Sequence, residues 1–210
     1  MNNFNINKKS TQSGRSMIEM LGVLAIVGVL SVGGIAGYSK AMEKFKINKL
    51  IDQISHMATD VRTLYMQQSG YDGLYEKVLE DAGLLPENVI YENGNANLIF
   101  NSAHAGWVRP TYNSDYSKTT GFSISVTVNQ NFCMELTSKD WGDANQGFNG
   151  IVVGTGVISG SLNTLDVDGE YYGGYFSKKS PMSIAKASEY CSKCSGTPPY
   201  GGCGFVVMFK

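Results

Sequence analysis

Two hydrophobic rhythms divide the first third of the chain. From Met17 to Tyr38 nearly every position is apolar or small, and the single charge is Glu19. Further on, the apolar positions thin to steps of three and four: Phe45, Leu50, Ile51, Ile54, Met57, Ala58, Val61, Leu64 and Tyr65. Asn48, Lys49, Asp52, Gln53, Ser55, Thr59, Asp60 and Arg62 take the other side. Such steps trace one face of an α-helix. The pattern predicts one long helix over residues 15–69, apolar all round over 15–38 and amphipathic over 39–69. At ~1.5 Å per residue it would run about 80 Å, more than a globular domain needs, which favours an assembly element.

The rhythm then changes. Gln67-Gln68-Ser69-Gly70 reads as a helix end, with Gly70 a natural cap. Residues 70–120 read as a turn-rich connector, with a short helix over 75–83 and a short strand over 96–100. Phe122-Ser-Ile-Ser-Val-Thr-Val128 alternates apolar and polar, the signature of a half-buried strand. Strands are also expected at 151–153, 157–158, 162–167 and 205–209, and short helices at 131–138 and 182–191. Strands following a first long helix, without regular β–α alternation, predict an α+β head. Its antiparallel sheet would fill residues 121–210 and be covered on one side by the amphipathic helix.

The apolar run is long enough to cross a ~30 Å hydrocarbon layer. A bare carboxylate within it costs roughly 2.5–3.5 kcal/mol on insertion scales, so Glu19 calls for a positive partner on a neighbouring chain. Lys8, Lys9 and Arg15 precede the run and place the N-terminus in the cytoplasm, with the rest outside the inner membrane. A removed signal peptide would end in small residues at a cleavage site after the run. Here the run continues into Lys40, Glu43, Lys44 and Lys46. Gly22, Gly28, Gly33, Gly34 and Gly37 punctuate it, allowing close helix approach and a local bend at Gly33-Gly34.

Charge excludes one class of partner. The formal net charge is −1 from 17 basic and 18 acidic residues, with no basic patch for nucleic acid. The four cysteines, Cys133, Cys191, Cys194 and Cys203, are an even set in an exported domain, which favours two disulfides. Cys191-Ser-Lys-Cys194 with Cys133 and Cys203 would also make a zinc donor set, but an oxidising compartment argues for disulfides. Spacing leaves all three pairings open. Asp166-Val-Asp168-Gly169-Glu170 begins like a calcium loop but lacks the distal glutamate, and reads better as an acidic turn. His56 and His104 are far apart and read as surface or packing residues; no catalytic constellation, metal or cofactor is expected. Tyr171, Tyr172, Tyr175 and Phe176 form an aromatic, glycine-rich patch suited to strand packing or partner contact.

The stretch Gly14-Arg15-Ser16-Met17-Ile18-Glu19-Met20-Leu21, behind a short basic leader, resembles the N-terminus of the type IV pilin and type II secretion pseudopilin superfamily. The resemblance implies that residues 1–14 are a leader cut between Gly14 and Arg15 by a prepilin peptidase, with N-methylation of Arg15. Loss of Lys8 and Lys9 leaves 15 basic against 18 acidic residues, a net −3. Glu19 becomes the fifth residue, which in this family neutralises the terminal amine of an adjacent subunit. Arg15 departs from the usual apolar first residue. The partners implied are other copies or related pilins, the peptidase and an inner-membrane assembly platform. More weakly, Phe122–Val128 with Cys133 and Leu136, and Cys194-Ser-Gly-Thr-Pro-Pro-Tyr200, are similar to the type IVb subgroup, such as the toxin-coregulated pilin. That similarity pairs Cys133 with Cys194 and so leaves Cys191 for Cys203. The expectation is a filament subunit, held first in the inner membrane and then in a surface filament. The competing expectations are a type II secretion pseudopilin in a periplasmic pseudopilus, and a membrane-anchored exported binding domain that does not polymerise.

Overall fold

A computed structural model describes residues 17–95, 97–100, 104–156, 162–163, 165, 167–171, 173–196, 198 and 201–210. The chain divides into two units, Met1–Lys44 and Phe45–Lys210, each described by itself. Helix α1 (Met17–Tyr65) contributes to both.

In the first unit the helix runs unbroken through Gly33-Gly34. Its apolar side chains are open to solvent, from Met17 at 84% to Val29 at 75% and Tyr38 at 68% exposure.

The second unit begins with the amphipathic part of α1. Ile47, Leu50, Gln53, Ile54, Met57, Ala58 and Val61 are buried, following the expected three-and-four spacing. Phe45 and Leu64, assigned to the same face by sequence, point outward instead. After α1 come α2 (Glu76–Asp81), β1 (Ile90–Glu92), β2 (Asn97–Phe100), β3 (His104–Tyr112) and β4 (Thr119–Val128). Next are α3 (Gln130–Ser138), β5 (Phe148–Thr155), β6 (Leu162–Asn163), β7 (Gly169–Tyr171), β8 (Gly174–Ser177), α4 (Ile184–Cys191) and β9 (Cys203–Phe209). The strands form one sheet in the order β1-β2-β3-β4-β9-β5-β8-β7, every neighbouring pair antiparallel. Strand β6 adds a short parallel pairing to the far end of β3. The last strand thus sits in the middle, paired over its whole length with β4 and β5.

Alternation on the central strands decides which face holds the main core. Phe122, Ile124, Val126 and Val128 on β4, and Phe205, Val207 and Phe209 on β9, share one cluster with Leu50, Ile54, Met57 and Val61 of α1. The intervening Ser123 and Ser125 donate to the carbonyls of Arg109 and Trp107, each at 3.3 Å. Val206, Met208, Val152 and Phe176 form a smaller second cluster with Leu162 and Tyr171.

The structure corrects the expected extent of the sheet. The short helix expected at 75–83 is α2, but residues 70–120 are more than a connector with one short strand: they carry β1 to β3 and the start of β4. Strand β3 was hidden because Gly106 and Pro110 interrupt its pattern and Arg109 breaks its apolar run. A proline lacks the ladder N–H and counts against a strand reading. Gly70 is also not a helix cap. The helix ends at Tyr65, and Gly70 serves a close approach: a Cβ there would lie 2.3 Å from Thr119 Oγ1. That hydroxyl accepts the Tyr71 N–H at 3.1 Å. The expected strand at 157–158 lies outside the described residues, as do Thr164 and Asp166 within the expected 162–167 strand.

Candidate assembly site

A helix that exposes apolar surface on every side is unstable in water unless something else covers it. The apolar stretch of α1 is long and apolar enough to cross a membrane, and none of it is buried within the chain. Its backbone donors and acceptors are satisfied within the helix, which suits a medium that offers none. Ser31, the polar side chain in mid-run, donates its hydroxyl to the Val27 carbonyl at 2.7 Å. A Cβ at Gly22, Gly28, Gly33, Gly34 or Gly37 would meet no atom within 4 Å. Among the described residues, these glycines therefore answer no packing need.

Glu19 stands in the first turn of α1, beside Met20, Val23 and Leu24, which share a shallow pocket with it. It is the one acidic side chain on the apolar stretch, and it is exposed. Gly14 and Arg15 lie outside the described residues.

The second unit holds its shape through three connections that sequence reading did not isolate. Glu76, only 1% exposed, pairs with the Arg109 guanidinium and accepts the Val108 N–H at 2.9 Å. This fastens α2 to β3. Arg62, on the last turn of α1, donates to the carbonyls of Gly147 at 3.0 Å and Lys210 at 3.3 Å, and stacks over the Phe209 ring at 4.8 Å. This fastens α1 to the start of β5 and the end of β9. His104 is buried, with Nδ1 3.0 Å from the Thr127 carbonyl and its ring against Phe132. Burial, more than any charge, holds its pKa below the ordinary histidine value. Neither Glu76 nor Arg109 carries a signal in the sequence; only the packing of α2 against β3 brings them together.

The cysteines pair differently from the resemblance. Cys133 bonds Cys191, Cα to Cα 5.8 Å, and Cys194 bonds Cys203, Cα to Cα 5.0 Å. The expected Cys133–Cys194 and Cys191–Cys203 pairs are therefore corrected. The reason is local geometry. Helix α4 packs along α3 and ends on Cys191, which faces Cys133 inside the core. The chain then turns back on itself, Ser195 bridging Gly202, and sets Cys194 opposite Cys203.

Other sequence candidates are structural. Tyr171 Oη is bonded to both the N–H and the carbonyl of Asn163 at 2.8 and 2.9 Å. Phe176 is fully buried, and Tyr175 stacks on Tyr190 at 5.3 Å; Tyr172 lies outside the described residues. Asp168 accepts the Lys178 N–H at 2.7 Å, ten positions along the chain. Asp166, the other calcium candidate, lies outside the described residues. His56 lies in a groove with Lys49, Asp52, Asp60 and Glu87, well apart in sequence and element from His104 on β3.

Comparison with known proteins adds a family to this geometry. The model of the bundlin family matches residues 40–198. Two curated proteins, each a major structural subunit of bundle-forming pilus, are similar over 194 residues, 91% of this chain and 94% of each relative. That of Escherichia coli O127:H6 (strain E2348/69 / EPEC) is 23% identical and that of Escherichia coli O111:H- is 22% identical. Among solved structures, a type IV b pilin from Salmonella typhi aligns with a TM-score of 0.46 and 14% identity, over 75% of this chain and 97% of that one.

Proposed function

The chain belongs to the bundlin family, and on that premise we propose that it is the structural subunit of a type IV pilus-like filament, assembled through its N-terminal helix. The family is a structural one. The observation that carries the reading is the apolar stretch of α1, exposed on all sides and bearing one acid, in a chain whose head matches the family.

Before assembly, Met17–Tyr38 holds the precursor in the inner membrane, with the leader cytoplasmic and the head outside. Prepilin peptidase cuts between Gly14 and Arg15, and Arg15 becomes the methylated first residue. Extraction from the membrane transfers the apolar helix from lipid to a bundle of identical helices, so its surface stays out of water throughout. An inner-membrane platform would drive that transfer.

Glu19 gives the bundle its register. In a low-dielectric filament interior an unpaired carboxylate is strongly disfavoured, so a subunit settles where the Arg15 amine of an adjacent copy reaches it. The pair selects one axial position among many that apolar packing alone would tolerate.

The test is Glu19→Ala expressed in a host with its own prepilin peptidase and assembly machinery. The variant is expected to insert and to be cut at Arg15, shown by intact mass and N-terminal sequencing, yet to give few or no filaments by electron microscopy. Filaments at wild-type abundance would overturn the register role. A wild-type chain that remains uncut at Met1 would overturn the pilin pathway itself.

A further inference from the structure

The four cysteines converge more closely than two separate disulfides require. The sulfurs of Cys133, Cys194 and Cys203 all lie within 4.8 Å of one another, although they belong to two different bonds. The fourth sulfur, of Cys191, is joined to that of Cys133. In a tetrahedral thiolate site with Zn–S near 2.3 Å, sulfurs stand roughly 3.8 Å apart. Parting two bonded sulfurs to that distance asks for side-chain rotation more than backbone movement.

We propose that the thiol form of the head is a zinc site, in which Cys133, Cys191, Cys194 and Cys203 bind one Zn2+ as four thiolates. The disulfide form and the zinc form are alternative states of one cluster. Three observations support this. The donors come from elements that the main core holds together by other contacts as well: α3 through Phe132 and Leu136, α4 through Ala187 and Tyr190, and β9 through Phe205 and Val207. Cys191 and Cys194 supply the C-x-x-C half of a structural zinc site on the turn that closes α4. Finally, Cys133, Cys191 and Cys203 are fully buried while Cys194 is partly exposed, so a closed, water-poor site has one ligand at an entrance.

A newly made chain carries thiols and reaches this state without a reductant. From the disulfide form, a dithiol or phosphine supplies two electrons per bond, and four thiols result. Binding of Zn2+ then releases four protons. Oxidation by thiol–disulfide exchange reverses the sequence: two disulfide-bearing oxidants each take two electrons and two protons and become dithiols, both protein disulfides form and Zn2+ leaves. Zinc would thus protect the newly folded head from mispairing among four closely placed thiols until oxidation commits the pairs.

The test uses the full chain in detergent micelles, reduced with a phosphine, stripped by a chelator and titrated with Zn2+ against a chromophoric chelator. Co2+ serves as the optical probe. One metal per chain is expected, with the intense Co2+ spectrum of a tetrahedral thiolate site. Cys203→His keeps a zinc ligand but cannot bond Cys194, and should still take one metal per chain. Cys203→Ser should bind more than about 10-fold more weakly. Failure of the reduced wild-type chain to take up stoichiometric metal, folded or not, overturns the proposal. So does equal uptake by the oxidised chain, or binding unchanged in both Cys203→Ser and Cys133→Ser.

Discussion

The two disulfides close loops of very different size, and their removal should separate accordingly. Cys133–Cys191 spans 58 positions of sequence and Cys194–Cys203 spans 9. Chain entropy assigns the long closure about 4 kcal/mol and the short one about 2.6 kcal/mol. Cys133 and Cys191 are also fully buried. Replacing both by Ala leaves voids that add to the larger figure. The assay is urea unfolding of the oxidised full chain in mild detergent, followed by tryptophan fluorescence. Both tryptophans report on the head: Trp107 sits on β3, and Trp141 packs against Phe205 at 5.8 Å. With a slope near 2 kcal/mol/M for a domain of this size, the midpoint should fall by at least about 2 M in Cys133→Ala/Cys191→Ala. It should fall by about 1.3 M in Cys194→Ala/Cys203→Ala. The far-UV helical signal of the apolar stretch of α1 should persist in both. Equal shifts, or a larger shift for the short loop, would refute the loop-closure reasoning. A Cys133–Cys194 cross-linked peptide in a digest of the native protein would refute the pairing.

Three further outcomes follow from the head. Arg109→Met leaves the Glu76 carboxylate buried without its cation and should lose about 3–5 kcal/mol in the same urea assay. The double replacement Glu76→Met/Arg109→Met should recover most of that loss, and a double variant as unstable as the single would sink the ion-pair account. Burial depresses the His104 pKa, so the folded head prefers the neutral ring while the unfolded chain takes a proton below about pH 6.5. Stability from this group is complete above that pH and is lost as pH falls from there through the folded-state pKa. Unfolding midpoints between pH 7.5 and 5 should therefore fall less in His104→Gln than in wild type, and parallel profiles would contradict it. Gly121→Ala would place a Cβ 1.9 Å from the Phe209 carbonyl oxygen, and the atoms it meets are backbone that cannot swing aside. It should cost about 2 kcal/mol or more, whereas Gly28→Ala, with nothing within 4 Å, should leave the head's unfolding midpoint unchanged.

What the sequence determined by itself is whatever one element's periodicity can encode. The unbroken apolar run with Glu19, the three-and-four spacing from Leu50 to Val61, and the alternation from Phe122 to Val128 each state a local conformation and the face it buries. The α+β class followed from their order along the chain. Features that need two distant segments were decided only by the tertiary structure. Strand β3 exists because β2 and β4 flank it, and that pairing outweighs the interruptions at Gly106 and Pro110. Strand β9 lies between β4 and β5 because its two faces can fill both core clusters at once. Glu76 and Arg109 read separately as surface charges until α2 packs against β3. The disulfide pairing is the sharpest case. Four cysteines admit three pairings on paper, and the choice came from where α4 ends relative to α3 and where the following turn sets Cys194 against β9. Both are consequences of packing, and no pattern along the chain records them.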